Sequence, residues 1–538
     1  MKKVLLLSVI FFITLPLFSQ SDFLNLNRDF NRNIEKEVYS KEHRFHTSIQ
    51  PFYIPEVKQI TNYDSVKNLL WINKKKIPNK KWKQKAWDKF LNDDVVTLRK
   101  KDYDFVVNPL MNFGAGYETV EGKSTWVNTR GFEVKGRIGN HFTFYTDFYE
   151  NQAKFPEYVD TYIRKQTIVP GQGKVHTNLS SGGFDYSNVS GYMSVKAGKF
   201  FNFQLGHGKN FYGDGYRSLL LSDNSFNNLF FKLTFLNVWH LKYQVIYNQY
   251  IDVRENIPNI GFPRKYSTVH YLSWAVSKRV NLSFFETIVW QNTDTLGNYR
   301  GFDFQYLNPI IFLRPLEFST GSPDNALMGL NLSVIVGKHN IFYGQLILDE
   351  FKMDEIKAGN GWWANKQGFQ LGFKTYDPFR IKNLYFQIEY NWVRPYTYSQ
   401  RVPLMNYGHY NQPIAHPYGA NFWELLTFVR YNYKRLFFNY QFVYSLYGDD
   451  PPDMNYGKDI YKDYTTRVQD YGNYVGQGIE TNLMYNKFSI SYLINPAYNF
   501  NFTIGYVNRS AKTDTETLNT NYFFFGLKTS LRNLYYDF

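Results

Sequence analysis

His46-Thr47-Ser48 places an imidazole beside two hydroxyls, the ingredients of a nucleophile and its base. His270 and Ser273 offer the same pair three positions apart. On a strand that spacing points the two side chains to opposite faces, where they cannot share a proton. Gly321-Ser322-Pro323-Asp324 contains a serine but no G-x-S-x-G and no strand-turn-helix setting. With ten histidines in the chain, chance proximity explains these pairs, and no catalytic residue is assigned. Asp449, Asp450 and Asp453, with Asp459 nearby, could offer oxygens to calcium, but they lack the glycine and closing glutamate of an EF-hand loop. His409 and His416 have no spacing that brings both rings onto one ion. The reading is therefore of a chain without metal or cofactor.

Flat rings set among amides are a different kind of chemistry. Gly359-Asn360-Gly361-Trp362-Trp363-Ala364-Asn365 puts two tryptophans in a glycine-rich loop, and residues 395–423 carry Tyr396, Tyr398, Tyr407, Tyr410, Tyr418 and Trp423. A sugar asks for this combination, an apolar face to stack on and polar groups for its hydroxyls. Trp362, Trp363, Tyr396, Tyr398, Tyr410 and Trp423 are the glycan-binding candidates. The competing reading makes the same rings an interfacial girdle or loop packing.

The elements that must position these loops are strands. In Leu384 to Trp392, Leu384, Phe386, Ile388, Tyr390 and Trp392 face one way and Tyr385, Gln387, Glu389 and Asn391 the other. Residues 436–444 and 500–506 alternate likewise. Such segments have the length a tilted strand needs to cross a membrane. Short links at Gly139-Asn140, Ala197-Lys199, Val238-His240, Lys278-Arg279, Gly337-Lys338 and Asn432-Lys434 alternate with long loops at about 152–184, 209–227, 252–265, 292–324, 352–366, 395–423 and 446–476. Short turns on one side and long loops on the other mark an outer-membrane barrel. Taking Gln477–Ile494 as one strand gives about eighteen strands in an all-β antiparallel barrel over 104–538. Lys135, Arg137, Tyr343, Gln345 and Lys374 fall on the inward face, with Glu133, Tyr145, Asp147 and Lys232. The ending Leu534-Tyr535-Tyr536-Asp537-Phe538 is of the aromatic kind in which barrels commonly end.

Composition agrees. Aromatic residues make up 20% of 538, mean hydropathy is −0.45, and there is no cysteine, which excludes disulfides and a polytopic helical protein. Lys2 and Lys3 followed by apolar Val4 to Phe18 read as a signal peptide over 1–19, cleaved near Ser19 or Gln20. Residues 20–103 form a periplasmic, partly helical segment, with an amphipathic helix over about 22–39. The stretch Lys74 to Lys101 holds eleven basic residues against three aspartates. Export argues against nucleic acid as its partner, and a solvated helical face or one on lipid headgroups remains.

At 198–225, Gly198-Lys199-Phe200-Phe201-Asn202-Phe203-Gln204-Leu205-Gly206 leads into Tyr212-Gly213-Asp214-Gly215-Tyr216-Arg217-Ser218-Leu219-Leu220-Leu221-Ser222-Asp223-Asn224-Ser225. This resembles the Wzi-type capsule-assembly barrels, with Tyr212 in place of a tryptophan and Ser225 in place of an alanine. Tyr306-Leu307-Asn308-Pro309, Tyr343-Gly344-Gln345-Leu346 and Asp349-Glu350-Phe351 are further landmarks of the likeness. It extends to the Wzi-like outer-membrane proteins of gliding Bacteroidota (RemB type). The resemblance implies an eighteen-stranded barrel, outer-membrane lipid as its surroundings, and surface polysaccharide or the gliding and secretion machinery as partners. The expectation is a non-enzymatic glycan-binding barrel whose lumen is blocked by 209–227 and 292–324. A solute porin and a structural partner of the secretion machinery are the rivals.

Overall fold

Alternating residues become strands here because each strand has two different neighbours to satisfy, an apolar surround and a polar interior. A computed structural model describes residues 22–63, 82–259, 261–293, 298–309 and 324–538. The expected signal peptide lies outside them, as do Lys74, Lys75, Lys76, Lys80 and Lys81 of the basic run. The first nine wall strands are β1 Tyr103–Glu118, β2 Lys123–Ile138, β3 Phe142–Lys154, β4 Phe184–Ala197, β5 Phe201–Gly208, β6 Asn228–Val238, β7 Leu241–Ile251, β8 Arg264–Trp274 and β9 Val280–Gln291. The second nine are β10 Asn325–Val336, β11 Asn340–Glu350, β12 Lys366–Tyr376, β13 Leu384–Val393, β14 Phe422–Tyr433, β15 Leu436–Asp449, β16 Ile479–Asn495, β17 Phe500–Lys512 and β18 Thr517–Thr529. Each pairs antiparallel with its neighbours, and β18 pairs with β1 from Tyr522↔Glu118 to Lys528↔Asn112, closing an eighteen-stranded barrel. Below that seam, the short strand Val96–Arg99 takes up the edge of β1 at Asp104 to Val107. No long stretch of that edge is left to pair with another chain.

Strand count, the long β16, and the segregation of short turns from long loops match the expectation. In β13, Tyr385, Gln387, Glu389, Asn391 and Val393 are buried inside while the alternate residues face out. Phe132, Phe231, Leu332, Leu371, Phe488, Ile504, Phe523 and Phe525 are exposed on the outer wall. Among the described residues no helix is long and apolar enough to cross a membrane, so the apolar belt belongs to strands.

Eighteen strands enclose a lumen wide enough for an aqueous channel. Here it is largely filled. Helix α1, Arg28–Val38, capped by Asn27, lies inside the short-turn half, followed by Ile49–Gln50 and helix α2, Ile54–Ile60. The sequence places 20–103 in a segment ahead of the barrel. The structure puts 22–63 within it, because its polar groups find partners on the wall, on the plug loop and on the C-terminal tail. His46 Nδ1 and Ser273 Oγ share a hydrogen bond of 3.0 Å, Thr47 and Ser333 one of 3.3 Å, and Ser48 and Ser283 one of 3.2 Å. Helix α3, Trp82–Asn92, stays outside the lumen under the turns, with Asn495 Nδ2 donating to Phe90 O and Asp93 O.

The two loops expected to block the lumen behave differently. Residues 209–227 fold in, and Phe211–Tyr212 pairs with Ile49–Gln50. The described part of 292–324 lies on the outside instead. Val269 and Tyr271 of β8 point into the lumenal core, so Thr268 points outward, and its hydroxyl donates to Tyr306 O at 2.9 Å. Tyr247 donates to Leu307 O, and Tyr306, Phe302 and Trp290 cluster there. The outward faces of β8 and β9 are apolar enough to hold a loop, whereas 211–221 carries charges that only the interior can answer.

The ending also departs from expectation. Phe538 does not finish a wall strand. After Thr529 the chain turns into the lumen and climbs it, until Phe538 packs on Tyr158 and Tyr162 of helix α4, Glu157–Gln166, at ring distances of 5.9 and 4.8 Å.

Candidate functional site

The plug loop 211–221 is shaped by glycine and fixed by carboxylates. Gly213 has φ +154°, and a Cβ there would lie 2.6 Å from Gln345 Nε2. A Cβ on Gly215 would collide with the Glu389 carboxylate. That carboxylate accepts the backbone N–H of Tyr216 at 2.7 Å and of Arg217 at 3.0 Å, with the Tyr343 hydroxyl at 2.8 Å. Gln345 accepts Leu219 N and donates to Tyr212 O, while Lys374 donates to Asp214 O at 2.7 Å. Tyr343, Gln345 and Lys374 thus face inward as the alternation requires, and what they line is a socket for the plug. Lys135 is ion-paired with Glu133 and Asp94; Arg137 sits at the short-turn rim, bonded to Gly139 O and Asn140.

Arg217 is the centre of the plug. Its guanidinium meets Glu424 at 2.9 Å and Asp537 at 3.1 Å, all three side chains buried. Burial works against the arginine charge, but Asp537 and Glu424 outweigh it and lift its pKa well above the ordinary value. His416 Nε2 lies 2.8 Å from Glu424, and its Nδ1 accepts Tyr418 N. That pair of bonds fixes the tautomer with the proton on Nε2. His409 is held the same way, Nδ1 accepting Ile251 N and Nε2 donating to Asn227 O. Both rings have both nitrogens committed. Asp449 pairs with Lys458, Asp450 accepts Tyr456 N and Asp459 N, and Asp459 accepts Tyr461 N. Among the described residues no three His, Asp or Glu side chains gather as a metal site. His270 and Ser273 point to opposite faces; His270 meets the Tyr243 hydroxyl outside, and Ser273 meets His46 inside.

The aromatic candidates separate into three groups. Tyr396 and Tyr398 are 1% and 0% exposed, their hydroxyls donating to Asn455 O and Leu219 O, so they are plug and loop core rather than a ligand surface. Trp423 is on the outer wall between Tyr390 and Tyr444, a girdle position, and Tyr410 packs on Phe226. Only Trp362 and Trp363 remain at the long-loop surface, both partly buried. Trp363 is wedged against Tyr464 and beneath Arg467, 4.1 Å from its ring. The loop is braced by backbone bonds from Trp363 N to Asp470 O, Gly472 N to Asn360 O and Asn473 N to Gly361 O. This bracing ties the segment that carries Tyr471 and Tyr474, 52% and 62% exposed, to the backbone of the Trp362 loop. Neither tyrosine is among the sequence candidates, although Gln469-Asp470-Tyr471-Gly472-Asn473-Tyr474 interleaves rings and amides as 359–365 does.

Beside the plug, against β14–β18 and β1–β3, the lumen keeps two adjoining cavities of about 130 and 360 Å³ that share Asp29, Arg430, Lys487 and Lys528 in their linings.

A closed antiparallel wall, an apolar outer belt and long loops at one end define the outer-membrane class of β-barrel, here with an internal plug. No protein-family model matches the chain, and no curated protein matches it. Among solved structures it is similar to Wzi, an outer membrane protein involved in group 1 capsule assembly in Escherichia coli and described as a carbohydrate-binding β-barrel. The two are 13% identical over 95% of this chain and 100% of that one, with a TM-score of 0.56. It is also similar to OprD of Pseudomonas aeruginosa (12% identity, 79% of this chain and 94% of that one, TM-score 0.42) and OccAB2 of Acinetobacter baumannii (10%, 78% and 97%, 0.41). At these identities the likeness is one of fold.

Proposed function

We propose that the chain is a non-enzymatic barrel of the outer membrane, exported by a signal peptide cleaved near residue 19, that binds or retains surface polysaccharide at its long-loop end. The observation that carries this reading is the backbone weave that joins the Trp362 loop to a segment with two exposed tyrosines, Tyr471 and Tyr474. Rings held by a backbone weave lose little freedom when a sugar stacks on them. The filled lumen speaks against the wide channel of a general porin. The carbohydrate binding ascribed to Wzi lends the reading a precedent on the same fold. A role beside the gliding and secretion machinery is compatible with this surface, and co-purification of machinery subunits without glycan affinity would favour it instead.

The test is a strain lacking the gene, scored for polysaccharide kept on the cell and shed into the medium. Shedding at normal total synthesis is the expected result, reproduced by a Trp362→Ala, Tyr471→Ala, Tyr474→Ala variant. Unchanged retention in both strains defeats the reading.

A further inference from the structure

We infer that the lumenal cavity beside α1 is a binding site for a small oxyanion-bearing solute, a carboxylate or phosphate group on a hydroxyl-rich body, entering from the short-turn end. This goes beyond the outer-surface reading and does not rest on it.

The cavity wall carries Arg32 from α1, Arg430 from β14, Lys487 from β16 and Lys528 from β18. Among its described lining residues Asp29 is the single carboxylate, already shared at 3.0 Å by Arg32 and by Arg430. Asp537, bonded to the lining Gln441, faces Lys487 from beyond it. Lys487 and Lys528 make no hydrogen bond or ion pair among the described residues. Alternation points both inward: Met484 and Phe488 flank Lys487 on the exposed outer face, as Leu527 does Lys528. Arg32 and Arg430 are 6% and 7% exposed, yet Arg32 Nε and Nη1 and Arg430 Nε have no acceptor among the described residues. Positive charge is thus concentrated in a recess inside the barrel, where its field on an anion exceeds that of a surface patch. At Arg217, Lys374 and Lys135, by contrast, the charge meets a built partner. The missing acceptors are what a bound oxyanion supplies.

The rest of the lining identifies the body of the ligand. Asn439, Ser489, Asn499, Asn501 and Thr503 offer amides and hydroxyls, with Phe524 to one side. That surface suits an acidic sugar better than a hydrophobic acid. Asn499 and Ser530 lie beside the short-turn mouth, whereas on the other side Gln441 of the lining is bonded to Asp537 of the tail, and Leu531 to Leu534 and Tyr536 line the adjoining cavity.

Calorimetric titration of the purified full-length protein in neutral detergent, at low salt, tests the site with glucuronate, inorganic phosphate and glucose. Glucuronate or phosphate is expected to bind and glucose not, with affinity falling as salt rises. Lys487→Gln with Lys528→Gln should weaken anion binding about tenfold or more, and the Arg replacements at both positions should retain it. Unchanged heat-modified gel mobility shows that each variant barrel is closed. Binding of glucuronate alone identifies an acidic-sugar site, and of phosphate alone a phosphate site. The inference is overturned if neither anion binds the parent protein, or if the Gln variant binds both as well as the parent does. The Trp362, Tyr471 and Tyr474 substitutions leave this titration unchanged, which separates it from the outer-surface reading.

Discussion

At Arg217, one buried guanidinium neutralises buried carboxylates from a wall strand and from the lumenal tail. Arg217→Ala strands Glu424 and Asp537 in the plug, at a cost of about 3–5 kcal/mol. The expected outcome is a lower melting temperature and a rise in single-channel conductance as the loop loosens. Melting and conductance equal to the parent's would show that the pair does not hold the plug. His409 makes a second prediction. Burial pushes its pKa down to about 3 from the ordinary value near 6.5. Between these values the unfolded chain binds a proton that the folded chain does not. Stability therefore rises with pH across that window, complete above about 6.5 and lost toward 3. The hydrogen-exchange protection factors of residues 405–416 should fall in acid, and His409→Gln should flatten that slope. The aromatic candidates show what residue types conceal: a tyrosine whose hydroxyl reaches a buried carbonyl, as Tyr398 does, has the same sequence neighbourhood as one displayed to a sugar.

Wall elements were legible because a strand between lipid and a polar lumen must alternate at period two, and turns of two or three residues must sit at one end. The plug elements had no such rule. Residues 211–221 mix Gly, Asp, Arg and Leu without period, since each side chain answers a different strand. Residues 298–309 and 209–227 are both aromatic loops, and only the faces of the strands beside them decide that one lies outside and one inside. The tail is the clearest case. Its aromatic ending looks like a last strand, yet β18 stops at Thr529 and its pairing with β1 does not involve residues 530–538. Removing 530–538 should leave a closed, heat-modifiable barrel while raising conductance, because Asp537, Tyr536 and Phe538 fill lumen and not wall. Failure of the truncated chain to form a barrel would place the tail in closure itself.

For the whole molecule, the wall and its filling set what passes and what does not. The parent protein should conduct far less than an open barrel of this strand number, and a large, steady conductance would reinstate the porin reading. The filling is gathered from the whole length of the chain. Arg28 donates to the Tyr535 hydroxyl at 2.7 Å, and that hydroxyl donates to Asp223 at 2.6 Å, across separations of 507 and 312 positions. Contacts so distant in sequence carry the full entropy of loop closure and form late. We expect the wall and its filling to be completed together. The sheet has to curl around α1 and 211–221 while its edge is still open, and the tail has to enter as β18 meets β1. Maturation is a wrapping reaction, finished only when the tail around Tyr535 reaches helix α1.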